Sequence, residues 1–264
     1  MLLRHRLHGI ELLDIPRCPR LVRDGALDYL QFVIRFGGVY APVASVLAQS
    51  LASQHETRVV DCCSGGGGPW PELRSLLIKA GASPLLTVLL TDAYPNSDAF
   101  RVIHAAHPLV AGTCTPVDVA RGAMQLPGMR TLFSSFHHFR PGEAEHVLRN
   151  LTAHGDGVFI AEVTERRWRA ILFMLLAPLF VWCATPMLRP FRWSRLALTY
   201  LLPLIPLVVC FDGIVSCLRT YSPDELRELL STVSDLPYDW EVGQAQGTSP
   251  MAVTYALGLP RRAP

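Results

Sequence analysis

Arg58-Val59-Val60-Asp61-Cys62-Cys63-Ser64-Gly65-Gly66-Gly67-Gly68-Pro69-Trp70 is the stretch that decides the fold. A short β-branched run ends in an acid, passes two cysteines and a serine, and enters four consecutive glycines. Pro-Glu-Leu-Arg follows Trp70, and proline suits a first helical turn. Strand, glycine turn and helix is an arrangement that holds nucleotide-like ligands, because glycine lets the backbone approach a ligand with no Cβ in the way.

Spacing within the stretch separates two ligand classes. A dinucleotide fingerprint needs Gly-x-Gly-x-x-Gly, and counting from Gly65 the third glycine falls on Trp70. An acid four residues ahead of the first glycine is also out of place there. Asp61-x-x-x-Gly65-x-Gly67 instead resembles motif I of the class I S-adenosylmethionine-dependent methyltransferases. The resemblance spans roughly residues 55–165 and 220–260. It implies S-adenosylmethionine as cofactor, with Asp61 organising the loop. Cys62, Ser64, Gly65, Gly66 and Gly67 then lie along the methionine moiety.

Around this motif, apolar spacing of three and four predicts helices over 26–36 and 41–53, separated by Gly37-Gly38, after an irregular arm over 1–23. Strands are expected at 58–63, 85–91, 109–115, 130–135 and 157–163, with helices at 69–80, 96–106 and 141–153 between them. Such alternation indicates a parallel sheet covered on both faces. Ser222 with Glu225 forms a capping box ahead of a helix over 223–233. Strands over 238–246 and 251–259, joined at Gly247-Thr248-Ser249-Pro250, then read as an antiparallel hairpin. The expected fold is α/β: a Rossmann-like, seven-stranded, mostly parallel sheet ending in that hairpin, as the resemblance implies, plus an apolar helical insertion. The domains expected are an arm and helical cap over 1–54, a core over 55–165 and 215–264, and the insertion over 166–214.

Other site residues come from the resemblance. Asp92 closes strand 2, where the family places an acid on the ribose hydroxyls, with Ala93 and Tyr94 lining the adenine. Asp118 and Val119 stand where the family puts an acid near the adenine amino group. Ser134 and Ser135, after strand 4, would face the cofactor. His137 and His138 follow at the mouth of the substrate pocket, where either could take the acceptor's proton. A histidine that caps the next helix or packs in the core fits the same residues, and methyl transfer can proceed by alignment alone.

The insertion is the unusual part. Residues 171–188 and 196–211 carry no acid and are broken by Pro178, Pro186, Pro203 and Pro206; Arg166, Arg167, Arg169, Arg189, Arg192 and Arg195 flank them with Trp168 and Trp193. Both runs fall short of the ~20 residues of a bilayer-spanning helix. A hairpin in one leaflet fits that length better than two full crossings and places arginine and tryptophan at the interface; a buried lid, a homodimer surface and true spanning are the other readings open.

Lys+Arg 24 against Asp+Glu 22 is too balanced for a nucleic-acid partner. Seven cysteines without paired spacing point to reduced thiols and the cytoplasmic side, peripheral or monotopic at the inner face of a membrane if the insertion attaches. The N-terminus lacks an apolar stretch of signal-peptide length, so no leader is expected. His104 and His107 lack a carboxylate partner in the sequence, so no metal is expected. Position 62 is cysteine, which removes a Gly-x-Ser-x-Gly serine-hydrolase elbow at Ser64. The function expected is methyl transfer to a hydrophobic small molecule or lipid. The alternatives are a non-catalytic, membrane-associated binding protein of the same fold and a nicotinamide-dependent oxidoreductase.

Overall fold

The computed structural model describes residues 5–70, 72–122, 125–247 and 251–261, and the chain divides into two compact units, residues 39–163 with 222–264 and residues 1–38 with 164–221.

The first of these units holds seven strands: β1 (Arg58–Cys62), β2 (Thr87–Leu90), β3 (Val110–Gly112), β4 (Met129–Phe133), β5 (Val158–Glu162), β6 (Tyr238–Ala245) and β7 (Val253–Pro260). They lie in the order β3-β2-β1-β4-β5-β7-β6. β1 to β5 run parallel, and β7 is antiparallel to both β5 and β6. Every residue of β4 and β5 is buried, as strands covered on both faces require, whereas β6 at the sheet edge alternates towards exposure. Strand order reverses between β1 and β4, and the carboxyl ends of neighbours at such a reversal are the position where open parallel sheets bind ligands.

The expected elements are present, mostly one to three residues shorter at their ends. The helix predicted from Pro69 is assigned from Glu72 to Lys79, with Trp70 almost fully buried before it. Pro71 and hairpin residues 248–250 lie outside the described residues. The capping box holds: the Ser222 hydroxyl accepts the Glu225 N–H at 3.2 Å, and the Glu225 carboxylate accepts the Ser222 N–H at 2.8 Å.

The second unit is helical. α1 spans Arg20–Gly37, and after residue 164 come α6 (Trp168–Leu175), α7 (Ala177–Ala184), the short α8 (Trp193–Leu196) and α9 (Leu204–Arg219); α2 to α5 (Ala44–Ser53, Glu72–Lys79, Ser97–Ala106, Pro141–Thr152) and α10 (Pro223–Ser231) belong to the sheet unit. Its core joins Ala26 and Tyr29 of α1 to Ala177, Val181 and Ala184 of α7 and to Ile205 and Val209 of α9. The predicted irregular arm is thus partly regular, because α1 starts at Arg20 and Leu12–Asp14 forms a 3-10 turn. The apolar runs are more broken than predicted: 171–188 covers parts of α6 and all of α7, bent by 41° at Leu176 ahead of Pro178, while 193–219 bends by 75° around Pro203.

Asp212 and Gly213 follow directly on the second apolar run, and an Asp-Gly pair is by residue type a turn signal. Both lie inside α9. A Cβ on Gly213 would meet the Met174 sulfur at 2.7 Å, so glycine lets α6 cross α9 closely. The Asp212 carboxylate accepts the backbone N–H groups of Leu12 and Leu13 at 2.7 and 3.0 Å. Arg219 and Tyr221 serve the same N-terminal segment. Arg219 pairs with Glu11 at 2.6 Å and with Asp14 at 3.3 Å, and the Arg6 guanidinium lies 4.0 Å from the centre of the Tyr221 ring.

Asp212→Ala removes the acceptor of two backbone donors. The expected loss is about 2–4 kcal/mol in urea unfolding, the scale for leaving such groups without a partner, with a smaller loss for Asp212→Asn. An unchanged midpoint for Asp212→Ala would show that water replaces the carboxylate at no cost.

Candidate functional site

The glycine stretch following β1 is built around Asp61, which is 1% exposed. Its carboxylate accepts the Ser64 hydroxyl on one oxygen and the Thr131 hydroxyl of β4 on the other, each at 2.6 Å. Its carbonyl accepts the Thr91 N–H at 2.8 Å, tying in the residue after β2. Burial is the main influence on this acid and raises its pKa to about 6, against the lowering by the two hydroxyls.

Backbone conformation explains the glycines. Gly65, Gly67 and Gly68 have φ of +54°, +113° and +53°, the left-handed region that costs a side chain energy. Cys63 shares that region at +56° without being glycine, a strained position of the kind that gathers at ligand loops. A Cβ on Gly65 would meet nothing within 4 Å, so this side of the loop is open. A Cβ on Gly67 would collide with Ile103, so that glycine serves packing against α4. Gly66, between them, is half-buried with an ordinary φ.

Asp92 closes the loop from the neighbouring strand. One of its oxygens accepts the Gly65 N–H at 2.8 Å and the other accepts the Tyr94 N–H at 2.8 Å, arching over the half-buried Ala93. A carboxylate oxygen has two lone pairs, so each retains one for a further donor such as a ribose hydroxyl. Tyr94 is 88% exposed. The Asp92 carbonyl accepts the Val117 N–H at 2.8 Å, which brings in the segment bearing Asp118. The Asp118 carboxylate accepts the Ala120 N–H at 3.0 Å and pairs with Arg121, and the buried Val119 carbonyl accepts the Asn150 amide.

Cys62 and Cys63 are poor nucleophiles here. Burial foremost, with Cys62 also facing Asp61 and Cys63 facing Asp92, Asp61 and Asp118, holds both thiols protonated at neutral pH. The seven cysteines all lie among the described residues, and none is in a disulfide.

A second cluster forms where β4 and β5 end. Ser134, at φ +45°, accepts hydrogen bonds from the Tyr40 hydroxyl at 2.7 Å and the Val163 N–H at 3.2 Å, so its oxygen is committed within the protein. Ser135 is buried beside Cys63. His137 and His138 sit on a 3-10 turn, Phe136–His138, with ring centres 4.6 Å apart. His137 Nδ1 lies 2.6 Å from Glu162, whose other oxygen accepts the Phe136 and His137 N–H groups at 2.8 and 3.2 Å. A carboxylate only accepts, so in the neutral form of the ring Nδ1 carries the proton and Nε2 is the basic atom. Glu162 is absent from the sequence-based set. An acid closing the apolar run Val158-Phe159-Ile160-Ala161 at the carboxyl end of a parallel strand is the signal that marks it.

No protein-family model matches the sequence, and no curated protein matches it in sequence. Solved structures do resemble it. The plantazolicin methyltransferase BpumL in complex with a triazolic desmethylPZN analog and SAH superposes with a TM-score of 0.57 at 12% identity, covering 95% of this chain and 93% of that one. Human N-acetylserotonin methyltransferase in complex with SAM gives 0.54 at 13% identity, over 92% of this chain and 56% of that one. The fold is that of the class I S-adenosylmethionine-dependent methyltransferases, as motif I implies.

The raised pKa of Asp61 sets a pH dependence. The unfolded group titrates near 4, so between about pH 4 and 6 the folded protein binds the extra proton. This contribution favours the fold at low pH and is lost as pH rises through about 6, leaving an ionised form that costs on the order of 3 kcal/mol. Subtracting the unfolding free energy of Asp61→Asn from that of the parent across pH should give a difference that falls over this window and is level above it. A flat difference would mean that Asp61 titrates at its ordinary value. Asp212, also raised to about 6 by burial, supplies a slope common to both proteins.

Proposed function

We propose that the protein binds S-adenosylmethionine on the Asp61–Gly65–Asp92 loop and transfers its methyl group to an apolar small molecule or lipid, reached from a lipid surface. The observation that carries this reading is the loop itself. A buried carboxylate holds it to two strands, a second carboxylate fastens the Gly65 N–H while keeping acceptor capacity, and the Cβ side of Gly65 is open. When bound, the cofactor supplies a methyl carbon on a sulfonium, a leaving group that needs no protonation.

The protein's part is then to hold the partners in line and remove a proton. Asp92 suits the ribose hydroxyls, and Asp118, carried on the segment tied to Asp92, suits the adenine amino group. His137 is the candidate base. Glu162 fixes its tautomer and stabilises the imidazolium formed when Nε2 takes the acceptor's proton. A specific observation favours a second reading of this pair: His137 is only 2% exposed. In that reading the His137–Glu162 contact braces the ends of β4 and β5, and alignment alone supplies the rate. A nicotinamide role fits poorly, since Trp70 occupies the third glycine position of the dinucleotide fingerprint. A second copy of the chain remains a partner to test by mass in solution.

Titration calorimetry with S-adenosylhomocysteine and, separately, with NAD tests the cofactor. Binding of the first alone is expected. Asp92→Ala should weaken it by about 1–3 kcal/mol, the scale for hydrogen bonds to a charged group. NAD binding without S-adenosylhomocysteine binding would end the proposal.

With apolar phenol, amine or acid acceptors that give turnover, His137→Ala should lower kcat roughly 100-fold or more and leave S-adenosylhomocysteine affinity intact. Glu162→Gln should lower kcat less and shift its pH profile. Full turnover in His137→Ala would assign the pair to bracing the strands.

A further inference from the structure

We infer that the outer face of α6, α7 and α9 is a monotopic lipid interface that seats the protein on an anionic membrane surface without crossing it. The inference rests on the lipid-side part of the proposed function and not on methyl transfer.

Residues 168–211 hold most of the large apolar side chains that are exposed among the described residues. They follow helical stripes. Trp168, Leu172, Leu175 and Leu176 stand at positions i, i+4, i+7 and i+8 along α6 and its end, opposite the buried Ala170. Leu204, Leu207 and Phe211 stand at i, i+3 and i+7 of α9, opposite Ile205, Val208, Val209 and Asp212. Leu179, Phe180 and Trp182 are exposed on α7, opposite Ala177, Val181 and Ala184. The three helices pack on one another, and the Phe173 and Phe180 rings lie 5.5 Å apart. One side of this layer is the unit's core; the other is an unpartnered apolar face of a kind that a water-soluble surface rarely presents.

Charge decides what covers it. No acid occurs between Arg166 and Phe211. Of the six arginines expected there as headgroup contacts, two are internal: Arg166 is 3% exposed, and Arg195 is 2% exposed and paired with Asp28. Arg192 is half-exposed against Asp24 and Asp28. Arg169 and Arg189 are exposed, with Arg167 partly so. A two-fold dimer through this face would set the segment 166–211 against its own copy, which holds no acid to pair the exposed Arg169 and Arg189. Anionic headgroups neutralise them directly. Trp168, Trp193 and Tyr200, 49%, 78% and 49% exposed, are the ring types that settle at headgroup depth.

Helix geometry excludes a simple crossing. No single helix among the described residues is long and apolar enough to span a bilayer, and the paired segments bend by 41° and 75°. α6 and α7 have eight residues each, about 12 Å of helix, which suits insertion into one leaflet.

Flotation of the full chain on phosphatidylcholine vesicles with and without phosphatidylglycerol tests the inference, with tryptophan emission read in parallel. Binding to the anionic vesicles with a blue shift is expected, and high salt should weaken it only in part, because apolar burial is not screened. The double variant Leu175→Glu with Leu207→Glu should weaken binding roughly tenfold or more while S-adenosylhomocysteine affinity and thermal midpoint stay at parent values. Arg169→Glu with Arg189→Glu should remove the preference for anionic vesicles by about the same factor and keep the apolar part.

A parent protein that stays monomeric without detergent and does not float overturns the inference. So does a parent dimer that these substitutions dissociate without any vesicle binding, since a second copy then covers the face. Because flotation needs no cofactor, its failure is separate from a failure to bind S-adenosylhomocysteine.

Discussion

A carboxylate in a dry position, held by hydroxyls rather than by a cation, is the contact on which the sheet unit depends. Asp61 stands one residue before the end of the central strand, and both of its oxygens are engaged, by Ser64 from the glycine loop and by Thr131 from β4. Its carbonyl holds the residue after β2. One residue therefore joins three neighbouring strands to the loop. Strand order also reverses beside it, so the contact that ties the sheet together lies at the switch point of the strand order. Burial disfavours the ionised form, which the two hydroxyls only partly offset. The arrangement persists because protonated and ionised forms alike have neighbours able to satisfy them.

The helical unit uses related devices. Asp212 inside α9 receives two backbone N–H groups of the N-terminal segment, Arg219 pairs with Glu11 beside it, and Arg195 pairs with Asp28 of α1. In the sheet unit Arg130, fully buried on β4, pairs with Asp156. Breaking such a pair strands a charge in a low-dielectric interior and is far costlier than losing a surface pair. Internal pairing also explains why counting arginines around the apolar runs overstates their surface charge: several of the flanking guanidinium groups face inward or towards α1.

Much of the sheet architecture was legible because its signals are local. Apolar runs bounded by glycine and proline mark β1 to β5, and the terminal pair of strands marks the hairpin. The Ser222–Glu225 spacing marks the start of α10, and the acid and glycine spacing after β1 marks the loop. Misjudged boundaries have local causes too. Pro69 and the buried Trp70 lie in the turns that follow the strained Cys63 rather than in the helix. Asp212-Gly213 reads as a turn from residue type alone, yet Gly213 is the crossing point of two helices and Asp212 a ligand for distant backbone donors.

Residue order by itself determined the class of fold and the position of the glycine loop, since periodicity, turn residues and motif spacing act over a few residues and carry their own energetic preference. Only the tertiary structure decided which polar groups meet. It placed Glu162 against His137, gave Asp92 the Gly65 N–H, engaged Ser134 with Tyr40, and divided the arginines between interior and surface. Those pairings join positions tens to hundreds of residues apart. Their free energy comes from burial and from hydrogen-bond geometry that exist only once the strands are stacked side by side and the helices packed.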